Sequence, residues 1–177
     1  MLIYTKDKND IFYKTCHFFN EISCEISQAK IFTTHHKYAL NVFNVSYEDE
    51  SSLRFKDFFK YIEDNLTNVI DQDVSKNSFN TSNNLMKKSR QASFHQIEDF
   101  IELINDDGLF HLQIKTANRK ALLLSVASLL KRYNISLSNA KITTMGERVE
   151  DHFDFKISND SQFEPKNLEN DLLNLLK

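Results

Sequence analysis

Ile26-Ser27-Gln28-Ala29-Lys30-Ile31-Phe32-Thr33 and Leu137-Ser138-Asn139-Ala140-Lys141-Ile142-Thr143-Thr144 are near copies of one another, 111 residues apart. The same offset holds without a gap back to Asp7 against Asn118. Along that stretch Ile11-Phe12 meets Leu122-Leu123, Phe18-Phe19 meets Leu129-Leu130, and Cys24 meets Ile135. Apolar positions fall on apolar positions, which is what two copies of one folding unit require. The 177 residues therefore read as two small units, not one long domain.

Each unit shows the same order of signals. Leu2-Ile3-Tyr4 is a short apolar run, and Phe110, Leu112 and Ile114 alternate with polar neighbours as a half-buried strand does. Polar turns follow, at 6–9 and 116–120. Helical spacing comes next: Ile11, Thr15, Phe18, Phe19 and Ile22, then Leu122, Leu123, Val126, Leu129, Leu130 and Tyr133. A two-stranded hairpin is expected after each helix. In the second hairpin Val149, Asp151, Phe153, Phe155 and Ile157 share a face, and Asp151 is the one acid among them. A final helix closes each unit, over 53–70 and after Pro165, which suits a first helical turn.

Residues 71–93 interrupt this order with Ser and Asn, a linker composition. The run 94–104 then reads as a strand, and Asn105-Asp106-Asp107-Gly108 as a hairpin turn into 109–115. Units spanning 1–70 and 105–177 follow, with 94–104 either completing the first sheet or edging the second. The order β-α-β-β-α-β is ferredoxin-like: an α+β fold with antiparallel sheets and helices on one face.

Composition narrows the function. Two glycines and one proline stand where ordinary usage would give roughly 21. No dinucleotide fingerprint, phosphate-binding loop or nucleophile elbow can be built from Gly108 and Gly146 alone. A net charge of −3 argues against a nucleic-acid binder, and Lys87-Lys88-Ser89-Arg90 reads as a basic linker. No apolar run approaches the ~18 residues of a membrane span, and 1–10 resembles no leader, so a cytoplasmic protein is expected. Cys16 and Cys24 read as buried thiols, and His35-His36 as an exposed turn without further metal ligands.

Ala140-Lys141-Ile142-Thr143-Thr144-Met145-Gly146-Glu147-Arg148-Val149-Glu150-Asp151-His152-Phe153 resembles the signature of the last ACT domain in the bacterial protein-PII uridylyltransferase/uridylyl-removing enzyme family. Ala29-Lys30-Ile31-Phe32-Thr33-Thr34 with Tyr38-Ala39-Leu40-Asn41-Val42-Phe43 resembles the first ACT domain of that family. The resemblance spans nearly the whole chain. It implies a tandem ACT module that senses an amino acid, glutamine, and thereby sets the balance of PII uridylylation and deuridylylation. The nucleotidyltransferase, with its magnesium, and the His-Asp phosphohydrolase have no motif here, so no catalysis and no cofactor are expected of this chain. Met1 falls inside the first strand, as in an excised piece, a split gene product or a remnant. PII would be met only through the intact enzyme, and an ACT–ACT homodimer is expected. Rival readings are a stand-alone double-ACT regulator like the glycine-cleavage repressor, and a remnant that binds nothing.

The family places its ligand at a D-x-P-G-L-L loop before the first helix. The first unit has Asp7-Lys8-Asn9-Asp10-Ile11-Phe12, keeping the acid for an ammonium but with Asp10 in place of glycine. The second has Asn118-Arg119-Lys120-Ala121-Leu122-Leu123, without the acid. The first unit is therefore expected to hold the ligand, weakly, and the plainer alternative is that Asp7 and Asn118 merely cap helices. Gly146, Glu147, Arg148, Glu150 and Asp151 are candidate contacts to the partner unit or the enzyme body, or else a turn with solvated charges.

Overall fold

A computed structural model of the chain describes residues 1–8, 10–47, 55–72, 97–157 and 163–176. Among the described residues the elements run, in order, β1 (Leu2–Lys6), α1 (Ile11–Glu21), β2 (Cys24–Thr33), β3 (Tyr38–Tyr47), α2 (Phe55–Asp71), β4 (Phe100–Asp106), β5 (Leu109–Ala117), α3 (Leu122–Arg132), β6 (Ile135–Met145), β7 (Arg148–Ile157) and α4 (Pro165–Leu176). The fold is α+β, as expected. The strands form a single antiparallel sheet in the order β1-β3-β2-β6-β7-β5-β4.

The two repeated segments, in β2 and β6, lie side by side at the middle of that sheet. Lys30 faces Lys141, Ala29 faces Ile142 and Ile31 faces Ala140. Residues 111 apart thus sit across a local two-fold axis that passes between the two lysines. Small features obey the axis too. The register slips at Ser27 in β2 and at Ser138 in β6. Helices α1 and α3 both stop at a left-handed residue, Ser23 at φ 57° and Asn134 at φ 52°. Their amides return to Asn20 and Lys131, closing the helix ends without glycine.

Alternate sheet positions feed one core beneath the helices. Phe43, Leu112, Ile114, Phe153 and Phe155 are essentially sealed from solvent, as are Phe19 of α1 and Leu168 and Leu172 of α4. The Phe12 ring meets Phe153 edge-on at 6.0 Å, joining the two units. Fully burying side chains of this kind contributes roughly 1.5–3 kcal/mol each.

Two boundaries differ from expectation. The strand anticipated over 94–104 is β4, running Phe100–Asp106; 97–99 are not strand, and 94–96 lie outside the described residues. Its turn is Asp107-Gly108, both at positive φ, the pairing that a tight two-residue hairpin demands. β4 pairs with β5 at the edge of the sheet farthest from β1. The start of the helix expected at 53 also lies outside the described residues, and α2 is helical from Phe55.

Candidate functional site

The local two-fold axis creates two equivalent crevices between the units. In each, the loop leading into one unit's first helix faces the end of the other unit's first helix and the start of its next strand. The crevice at the first unit's loop is lined by Asp7, Lys8 and Ile11 and, across the axis, by Lys131, Ile135 and Ser136. The crevice at the second unit's loop is lined by Asn118, Arg119 and Leu122 and by Asn20, Cys24 and Glu25. Every one of these residues has its counterpart 111 positions away.

The two crevices are not equally open. The first encloses about 20 Å³, room for little more than a water molecule. The second encloses about 350 Å³, within the range of small-molecule sites. Side-chain size explains the difference. The Tyr13 ring fills the first, with the Lys131 ammonium 4.1 Å above its centroid. Leu124 and Asn20 hold the matching places in the second, and neither spans it.

Charge is also arranged differently. Around the first loop Lys8 and Lys14 are paired, with Asp71 and Asp10, while the buried Asn41 Oδ1 has no partner among the described residues. Lys14, 2 % exposed, donates to the carbonyls of Ile70 (3.0 Å) and Gln72 (2.6 Å) and meets Asp10 at 3.2 Å. Lys8 donates to Ile70 as well. These ammonium groups close the carboxyl end of α2. Burial raises the pKa of the Asp7 carboxyl, against a backbone hydrogen bond from Lys8 that lowers it. Asn9 lies outside the described residues.

Around the second loop, polar groups are left over. Arg119 is buried and donates from Nη2 to Asp99 at 3.2 Å, while its Nε has no partner among the described residues. Glu147 Oε2 is buried and equally unpartnered. Asp151, 1 % exposed, accepts one hydrogen bond, from the Thr143 amide at 3.2 Å. Burial pushes its carboxyl up to about 7, against that hydrogen bond, which lowers it. Buried polar groups are normally satisfied, so two unpartnered atoms and a buried carboxyl with a single bond set the residues lining this cavity apart. Asn118 does not hold the loop's charge; its Nδ2 donates across the axis to Glu25 at 3.1 Å.

Several expectations are resolved here. Asp7 and Asn118 do not cap the helices: Asp10 and Ala121 occupy those positions, neither with a side-chain cap bond. The backbone amides of Asp7 and Asn118 instead bond Lys37 and Glu147, tying each loop to its hairpin turn. Ala121 sits at φ 60°, the left-handed conformation that glycine adopts freely, whereas Asp10 in the first unit has φ −109° and needs no glycine. The segment Gly146–Asp151 divides. Arg148 and Glu150 pair with each other at 2.6 Å on the outer face of the sheet, while Glu147 and Asp151 line the open cavity. Two groups far apart in sequence, the loop at 118–122 and the turn at 147–151, thus meet. Sequence reading missed Asn20 and Glu25, although the offset of 111 from Lys131 and Ser136 marks them. Among the described residues no cluster of three metal-ligating side chains is present, and Cys16 and Cys24 are buried free thiols. Burial, with Asp151 beside it, raises the Cys16 thiol far above its usual range.

The chain is 34 % identical over 156 residues to the bifunctional uridylyltransferase/uridylyl-removing enzyme of Thiobacillus denitrificans. It is 32 % identical over 155 residues to that of Aromatoleum aromaticum and 31 % to that of Chromobacterium violaceum. The chain is homologous to a part of these enzymes. The match takes in 86 % of this chain but only 17–18 % of each relative, so the chain spans under a fifth of their length. No protein-family model matches it. Among the described residues no helix is long and apolar enough to cross a membrane.

Proposed function

We propose that the chain is the amino-acid-sensing part of a protein-PII uridylyltransferase/uridylyl-removing enzyme, built of two ACT units and without catalytic machinery of its own. The observation that carries this reading is the 350 Å³ cavity, lined by the second unit's loop, Arg119, Glu147 and Asp151. An α-amino acid needs one cationic and one anionic partner close together. The positive charge of Arg119, which lines the cavity, and the first-turn amides of α3 suit the ligand's carboxylate. Asp151 and Glu147 suit its ammonium. Glutamine is the effector that the family resemblance implies.

The first unit's crevice is filled, so one ligand binds per chain. Because the cavity is walled by both units, occupancy favours one arrangement of the two. In the longer enzyme that differential affinity shifts the balance between uridylylation and deuridylylation of PII. Binding brings an ammonium to Asp151 and requires its charged form, so affinity rises from pH 6 to pH 8.

A thermal-shift titration tests the reading. Ligand at about 100 times its dissociation constant stabilises by roughly 2.7 kcal/mol. Glutamine should shift the melting temperature more than glutamate or asparagine. Asp7→Ala should keep that shift, and Arg119→Met and Asp151→Asn should lose it. A shift that glutamate matches, or that both cavity variants retain, defeats the reading. Incubation with PII, UTP and Mg²⁺ or Mn²⁺ should give no turnover.

A further inference from the structure

On the face of the sheet opposite the helices, exposed apolar side chains gather on the inner strands and margin of the first unit, whereas the second unit, among the described residues, is polar at the equivalent places and exposes Phe100, Ile104 and Met145 only on its edge strand and hairpin turn. One row of directly opposed residues crosses all seven strands as Tyr4–Leu40–Phe32–Asn139–Asp154–His111–Ile104. A second row reads Leu2–Val42–Lys30–Lys141–His152–Gln113–Glu102. The axis pairs Leu2 with Gln113, Tyr4 with Lys115 and Phe32 with Thr143. On the third strands it pairs Tyr38 with Arg148, Leu40 with Glu150 and Val42 with His152, each pair holding the same register. The second unit proves that this fold accepts polar side chains at all six places. The apolar set in the first unit is thus not demanded by its own core.

We infer that this face of the first unit, with β1 at its margin, is the contact surface for a second molecule of the same chain. Leu2 is 63 % exposed, Tyr4 62 %, Phe32 52 %, Val42 42 % and Tyr38 39 %. The Tyr4 and Tyr38 rings stack at 5.2 Å, which stiffens the surface. At roughly 150–250 Å² per aromatic side chain, those fractions amount to about 500 Å² of exposed apolar surface. Two molecules related by a two-fold axis would cover the patch of each with the patch of the other. If fully covered, the pair removes roughly 1,000 Å² of apolar surface from water, which with the flanking polar rim reaches the threshold of a specific interface. No other surface of stated chemistry is needed, because the patch complements itself. Arg148 and Glu150, candidate contacts on sequence grounds, lie on the polar side and stay outside this interface.

Sedimentation velocity on the full chain tests the inference. A dimer is expected at tens of micromolar. The triple variant Tyr4→Lys, Phe32→Thr, Val42→His installs the second unit's residues and should sediment as a monomer with an unchanged far-UV circular dichroism spectrum. A wild-type monomer at 100 µM overturns the inference and gives the face to another part of the longer protein. A triple variant that stays dimeric overturns it as well. Because Cys16 and Cys24 are buried, a single surface thiol can report geometry. Val42→Cys should cross-link to itself with a short bismaleimide and His152→Cys should not; the reverse pattern excludes this face. None of these variants touches the cavity, so the outcome is independent of the amino-acid reading.

Discussion

Replacing Asp151 by Asn should make the chain more stable at pH 8 and flatten its stability against pH. The carboxyl is 1 % exposed, and burial lifts it to about 7 from an unfolded value of 3.8. The folded state therefore holds a proton that the unfolded state has released between those two values. The associated stability is fully present below pH 4, is lost as pH rises towards 7, and changes little beyond it. Each tenfold difference in proton affinity between the two states is worth about 1.4 kcal/mol, so the whole effect is roughly 4 kcal/mol, of which about 2–3 kcal/mol falls between pH 5 and pH 8. Asn keeps the oxygen that accepts from the Thr143 amide and discards the ionisation. The chain has already made this choice once, since Asn41 holds the equivalent register position, opposite Ile3 as Asp151 is opposite Ile114. Urea unfolding of both proteins at pH 5, 6, 7 and 8 isolates this contribution, because every other titrating group cancels in the difference. Wild type should lose about 2–3 kcal/mol relative to the variant across that range. A difference that stays constant with pH would refute the reasoning, and one that moves the other way would show that the buried carboxylate is stabilised by a cation.

Ala121→Gly should stabilise by roughly 0.5–1 kcal/mol, because relief of the left-handed strain exceeds the entropy glycine adds to the unfolded chain; urea midpoints check it. Lys14→Met should cost about 1–3 kcal/mol by stripping the Ile70 and Gln72 carbonyls of a charged donor, with faster amide exchange at the end of α2 as the local signature. Phe153→Ala should cost roughly 3–5 kcal/mol and weaken both units together, since its ring touches Phe12 across the axis; a transition that splits in two would contradict that coupling.

Much of the fold is legible in the sequence because its signals are local or repeated. The 111-residue offset aligns the apolar positions of α1 with α3 and of β2 with β6, and Asp107-Gly108 announces its hairpin. Asp151 stands out as the acid on an apolar face, and the structure buries it. What the sequence does not disclose depends on groups meeting from different units. Asp7 points to the first loop as the ligand site, because it retains a charge. That Tyr13 packs there beneath Lys131, narrowing the crevice, is not written in any motif, because the pair is 118 residues apart. The partner of β4 is equally hidden: an alternating strand can edge either sheet, and only the register against β5 decides. Helix ends at Ser23 and Asn134 go unannounced because their left-handed turns are made without glycine.

The placement of β4 decides how the chain can be cut. Everything from Phe100 onward carries four strands, β6-β7-β5-β4, with α3 and α4 packed on them, so a polypeptide started just before β4 inherits a four-stranded sheet for its own helices. Everything up to Gln72 carries three strands among its described residues, and the cut breaks the β2–β6 pairing for both pieces, leaving the shorter sheet the poorer one. Severing the chain between Gln72 and Phe100 should thus yield one portable half and one dependent half. The carboxyl-terminal piece should keep slow amide exchange along β5 and β7 when expressed alone, and the amino-terminal piece should gain it only on mixing. Any gene fusion, split or duplication that transplants this region can move the second unit by itself but must carry the first one attached.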